Sequence, residues 1–163
     1  MEAPPGDVYA GVRATIEHVL DGNREALIDC VLGLDAERSR RSLVPSGTTL
    51  VGLLKHAAAV ERLWFQERLA GLPPTERDGS TDDVEAWRLG PDDSVDAAVA
   101  DFRQACQRSR EIVGEYALHE GYPSPSHGFI PVRWILAHMI EELARHAGHA
   151  DILREQLGGD PTY

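Results

Sequence analysis

Lysine is almost missing from these 163 residues: Lys55 is the only one, and arginine supplies the rest of 16 basic side chains set against 27 acidic ones. A formal net charge of -11 with no basic stripe argues against a nucleic-acid partner, because affinity for a phosphate backbone rests mainly on clustered Lys and Arg. Cysteine is nearly as scarce. Cys30 and Cys106 each sit inside an amphipathic pattern, which argues for buried thiols and against a disulfide framework or a thiolate metal site. No apolar run approaches the roughly 20 residues that span a bilayer. The opening Met1-Glu-Ala-Pro-Pro-Gly-Asp has neither the cationic start nor the apolar run of an export signal, so the expectation is a cytoplasmic protein without a membrane partner.

Strand signals are lacking too. What is present is helical periodicity, in a chain whose length and 42% hydrophobic content suit one domain over 1–163 with one core. The first helix is expected from about Asp7 to Leu32, with Val12, Ile16, Val19, Ala26 and Cys30 on its inner face and Asn23 as a polar intruder. The second runs from Thr48, as N-cap, to Ala70, with Leu50, Leu53, Leu54, Ala57, Val60, Leu63 and Trp64 inward. The third opens at Ser94 and has the cleanest seam: Val95, Val99, Phe102, Cys106, Ser109, Val113 and Tyr116. The fourth starts at Pro131 and ends before Gly158-Gly159. Residues 121–128 read as a loop, and 75–93 as a long polar connection anchored by Val84, Trp87 and Leu89. The architecture is all-α, a four-helix bundle whose long crossing connection permits something other than simple up-down order.

The informative polar groups lie on the fourth helix. Its seam is Val132, Leu136, Met139, Leu143, His146, Ala150, Leu153 and Leu157, so His146 stands among core positions. Glu142 lies four residues earlier, on the same face, with Cβ atoms about 5–6 Å apart. His138 is one turn before Glu142, and His149 is three residues after His146. On the second helix His56 falls between Leu53 and Val60 and also points inward. Each has an ordinary explanation taken alone. An inward imidazole usually bonds a backbone or hydroxyl group, as expected for His18 and His127; Glu142 can pair with Arg145; Trp64 and Trp134 suit core or lip positions; Arg62 and Arg133 are solvated by default. Together, two imidazoles and a carboxylate from two helices cannot stay unsatisfied in a core. A divalent cation satisfies them, and His2Glu leaves a fourth position open, which is a catalytic stoichiometry for zinc.

The motifs Leu53-Leu-Lys-His56-Ala-Ala-Ala-Val-Glu61-Arg-Leu-Trp64 and Trp134-Ile-Leu-Ala-His-Met-Ile-Glu-Glu-Leu-Ala-Arg-His-Ala-Gly-His149 resemble the DinB/YfiT-like metalloprotein superfamily over essentially the whole chain. Its members are four-helix bundles that hold zinc, nickel or iron through one ligand on the second helix and two on the last. Many carry His-x-x-x-His on the last helix, whereas the earlier position here is Glu142. That departure resembles the mycothiol-dependent branch, the maleylpyruvate isomerase N-terminal-domain type, whose two His and one Glu map onto His56, Glu142 and His146. The isomerase's C-terminal domain, which supplies an arginine, has no counterpart in these residues, so a different reaction is expected.

The resemblance implies a divalent-metal-dependent thiol S-transferase. Mycothiol or a similar small thiol is the co-substrate, an electrophile the acceptor, and Zn2+ the expected metal, with Ni2+ or Fe2+ as alternatives. A metal-bound thiol loses its proton readily. His149 and Arg133 are the candidate catalytic residues, and Arg62 and Trp134 are candidates for binding the thiol or its partner. Two other classes share the ligands: a non-haem iron oxygenase, which also uses two His and a carboxylate, and a non-catalytic metal-binding stress protein. A homodimer is compatible with the pattern without being specified by it.

Overall fold

The computed structural model describes residues 11–160 and 162. The helices are α1 (Val12–Asp29), the short α2 (Ala36–Arg40), α3 (Leu50–Glu61), α4 (Val95–Gly114) and α5 (Val132–Gln156). The expected part of α1 before residue 11 lies outside the described residues. Ser94 caps α4 as read, its hydroxyl accepting from the Ala97 N–H. For α3 the cap is Thr49, one residue later than expected, whose hydroxyl accepts from the Gly52 N–H at 3.0 Å, while Thr48 pairs with Ser46 outside the helix. Pro131 is likewise the N-cap of α5, with the first helical residue at Val132.

Four helices form the bundle, and their cross-links give its order. His56 meets Glu142 and His146 while Trp64 meets Trp134 and His138, so α3 and α5 are antiparallel. Asn23 donates to the Ile140 carbonyl and Cys30 lies beside Ala147, so α1 and α5 are parallel. Lys55 reaches Asp93, and the Tyr116 hydroxyl reaches the Leu69 carbonyl, so α3 and α4 are parallel. The order is up-down-down-up, which requires the long connection after α3 to cross back along the bundle, as the sequence led us to expect.

The seam of α5 is buried as read and so is that of α4 apart from its half-buried ends, Val95 and Tyr116, with Phe102, Met139 and Leu143 fully inside. The inner face of α1 is only partly as read: Cys30 is buried and Ile16 packs against the core, but the other three positions do not face in. Val12 is 70% exposed, and Val19 and Ala26 also face outward, while Leu20, Arg24, Leu27 and Ile28 point in. The cause is Arg24, a charged residue on the inner face that a count of apolar positions skips. Its guanidinium forms a bidentate pair with the fully buried Glu61 on α3, at 2.8 and 2.7 Å, and also bonds Asp21, which Arg110 of α4 bonds in turn. Burial opposes the charge on Arg24, but Glu61 more than compensates and raises its pKa.

Beyond Glu61 the helix widens into a π-helical stretch, Arg62–Leu69, closed by the Ala70 N–H on the Phe65 carbonyl at 3.0 Å. The region 121–131 is also more ordered than a loop. It is an antiparallel hairpin, β1 (Gly121–Ser124) on β2 (Gly128–Pro131), with Tyr122 opposite Ile130. Strands of four residues broken by prolines leave no alternation to read. No helix among the described residues is long and apolar enough to cross a membrane.

Removing one member of a buried bidentate pair leaves the other charge uncompensated, which typically costs about 3–5 kcal/mol. Glu61→Ala is expected to lose stability on that scale in urea denaturation, and the double variant Arg24→Met, Glu61→Leu to recover most of it. A loss under about 1 kcal/mol for Glu61→Ala would show that the pair does not hold α1 to α3.

Candidate metal centre

His56 sits on the buried face of α3, and Glu142 and His146 lie one turn apart on α5 where that helix crosses it. Both imidazole Nε2 atoms converge on one carboxylate oxygen: Glu142 Oε1 is 3.2 Å from His56 and 3.0 Å from His146. One ligand atom from each residue lies within 4.8 Å of the other two. The structure therefore brings together the three donors expected to ligate a metal.

The far side of His56 fixes its chemistry. Its Nδ1 is 3.0 Å from the Asp83 carbonyl oxygen, which can only accept, so Nδ1 carries a proton. In neutral His56 the Nε2 lone pair then points at a carboxylate oxygen, and two acceptors face each other. A proton or a cation between them removes the conflict. Burial pulls the His56 pKa down, but bonds to Glu142 and to the Asp83 carbonyl outweigh it, and the net shift is upward. Bonds from His146 and His56 hold the Glu142 carboxyl far below its ordinary value, against burial. A ring whose outer N–H is tied to a carbonyl is the usual arrangement of a metal-ligating histidine, so the donor set fits a divalent cation. His146 differs, since its Nδ1 is buried with no partner among the described residues.

Asp83 belongs to the long connection, and so does Trp87, whose indole stacks on His56 with centroids 4.3 Å apart. The sequence marked Trp87 only as an anchor; its place as one wall of the centre depends on how the connection docks. Arg62 does much of that docking. The ligand-binding role expected for Arg62 does not match its position, because it is 3% exposed and committed to Asp78 at 2.6 Å and to Asp101. Gly79 lets the chain pass, since a Cβ there would lie 2.6 Å from the Arg62 guanidinium carbon. Lys55 adds bonds to the Arg88 carbonyl and to Asp93. At Gly52 a side chain would crowd the Trp87 carbonyl at 3.3 Å.

Two cavities flank the donors along α5. One, of about 340 Å³, is lined by Trp87, His146, His149, Ser46, Thr48 and Gln156 among others. His149 is exposed there, its ring 5.6 Å from that of His146. The other, of about 720 Å³, lies beneath the hairpin and includes Trp64 and Trp134. His138 joins it to the centre, stacked on Trp134 at 5.1 Å and edge-on to Trp64 at 4.7 Å. Trp134 thus borders the site as a half-exposed lip residue, whereas Arg133 is exposed and lines neither cavity. His127 is exposed in the hairpin turn, bonded to Ser126. Arg145, the surface partner weighed for Glu142, pairs instead with Glu141 and stays 4.0 Å from the nearer Glu142 oxygen.

A family model for mycothiol S-transferase matches residues 15–159. The chain belongs to that family. A comparison with curated proteins found no match. Membership bears out the resemblance to the DinB/YfiT-like superfamily and agrees with the all-α bundle. A mycothiol S-transferase acts on a small external thiol, and the protein's own thiols suit that role division: Cys30 and Cys106 are both free and buried, and burial raises both pKa values.

The pairing of His56 with Glu142 gives a pH dependence in metal-free protein. The raised imidazole pKa contributes stability that is full below the unfolded value, about 6.5, and is lost as pH rises through the folded value. The lowered carboxyl contributes stability present above its unfolded value and lost as pH falls through the folded one. In an NMR titration of metal-free protein His56 is expected to titrate above about 6.5, and in Glu142→Gln below it, because burial then dominates. Equal His56 pKa values in the two proteins would contradict this geometry.

Proposed function

We propose that this protein is a divalent-metal-dependent transferase that joins a small thiol, mycothiol or a close analogue, to an electrophilic acceptor. The observation that carries the reading is the convergence of His56, Glu142 and His146 on one point at the edge of an open cavity, in a chain of the mycothiol S-transferase family. Family membership favours transfer over oxygenase or purely structural use of the same ligands.

His56, Glu142 and His146 would hold a divalent cation, which would supply the Lewis acidity to lower a bound thiol's pKa by several units. The chain's residues do the rest. His56 and His146 offer neutral Nε2 lone pairs, and the Glu142 charge offsets part of the cation's. Trp87 shields the His56 side from water. Exposure at the mouth suits His149 to pass the thiol proton to solvent, and Ser46, Thr48 and Gln156 offer hydroxyl and amide groups to a polar, hydroxylated thiol. In the transfer the sulfur lone pair forms the new S–C bond. In substitution the leaving group departs with its bonding pair; in addition the acceptor's C=C π pair moves to the neighbouring carbon, which then takes a proton. Trp134 borders the acceptor's approach. Arg133, on the first turn of α5, remains a candidate for an outer carboxylate or sugar hydroxyl of the ligands, without a cavity of its own. Zn2+ fits the donor set, as Ni2+ or Fe2+ would.

Protein loaded with Zn2+ and supplied with mycothiol and a chromogenic electrophile is expected to form the thioether, with Glu142→Ala and His146→Ala slower by at least about 100-fold, since loss of a ligand exceeds the usual loss of its supporting bonds. Equal rates in wild type and Glu142→Ala would overturn the reading. Ligation requires His56 and His146 unprotonated, so metal affinity is expected to fall as pH drops through the raised His56 value and on below the imidazole reference of about 6.5. Full occupancy after long dialysis at about pH 5 would contradict it.

A further inference from the structure

We propose that the cavity beneath the hairpin is the acceptor subsite and that it selects flat, aromatic electrophiles carrying a negative charge. This rests on the transferase reading, of which it names the second substrate.

The walls are aromatic: Trp64 and Trp134 pack at a tilt with centroids 5.4 Å apart, and Tyr122 and Phe129 come from the two hairpin strands. Phe129 is 59% and Trp134 47% exposed, so large ring surfaces are left in water that a flat ligand would cover. The charge is the more specific feature. The chain carries 27 acidic residues against 16 basic ones, yet no carboxylate lines this cavity. Its cation is Arg68, exposed to solvent, whose guanidinium carbon lies 4.2 Å above the Trp64 ring. Trp64 holds the planar guanidinium at the wall by cation–π attraction and the Tyr122 hydroxyl engages one of its N–H groups, leaving the remaining N–H groups for a carboxylate or sulfonate. His127, in the hairpin turn, is a second donor at the rim.

The position also suits an acceptor. His138, packed against both indoles, lies one helical turn, about 6 Å, before Glu142. The smaller cavity beside His146 lies on the other side of the donors, so two substrates can approach the centre from opposite directions along α5 without sharing a subsite.

Binding can be read without metal, thiol or turnover. We would titrate 2-naphthoate and its neutral isostere 2-naphthamide into metal-free protein by calorimetry, in wild type, Arg68→Gln, Trp134→Ala and, as a control on the exposed face of α4, Arg108→Gln. Wild type and Arg108→Gln should prefer naphthoate by about tenfold or more, the value of one charged hydrogen-bonding group, and Arg68→Gln should lose that preference. Trp134→Ala, with circular dichroism as the check that the fold is kept, should weaken both probes alike. Equal affinities in wild type, a preference that survives Arg68→Gln, or no binding of either probe would overturn the assignment. A protein that shows the preference but conjugates no acceptor loses the transferase reading, and one that conjugates acceptors without regard to charge loses only the subsite.

Discussion

Two acceptors cannot face each other in a protein interior without something between them. The Asp83 carbonyl holds a proton on one nitrogen of His56, and the other nitrogen therefore turns a lone pair toward the Glu142 carboxylate, which His146 approaches from the same helix. Much of the structure can be understood as what is needed to keep that contact. α3 and α5 must cross at this height, and the connection after α3 must return along the bundle so that Asp83 and Trp87 reach the outer side of the His56 ring.

The buried charges serve that purpose from a distance. Arg24 and Glu61 tie α1 to α3 one turn beyond His56, and Arg62, the next residue after Glu61, ties the connection to α3 and α4 through Asp78 and Asp101. Such pairs add little net stability over well-packed apolar residues, but they tolerate few alternative registers. Here they fix which residues of a polar, irregular segment dock and where. A histidine supported by backbone on one side and an indole on its face has little freedom left, and such pre-organisation favours ligation of a cation over solvation of a loose imidazole.

How much of this was legible in the sequence follows from the range of each signal. The seams of α4 and α5 are local periodicity, and they gave the bundle, the inward His146 and its partner Glu142. His56 was legible for the same reason. The face of α1 was partly misread because Arg24 is inward only in the company of Glu61, 37 residues away. Arg62 was expected at a ligand and is instead a buried anchor, since its partners lie on the connection and on α4. The hairpin left no pattern because its strands are short and proline-broken, and with it the aromatic cavity went unread. Trp87 stood out as an apolar residue in a polar run, but a pattern of one residue carries no direction.

Whether His56, Glu142 and His146 hold a metal decides the chemistry of the site. The most direct measurement is native mass spectrometry of protein prepared without a polyhistidine tag and equilibrated with Zn2+. A single bound ion per chain, retained through buffer exchange and absent from His56→Ala and Glu142→Ala, is the expected result. Wild-type protein that stays metal-free, or variants that bind the ion as well as wild type does, would contradict it.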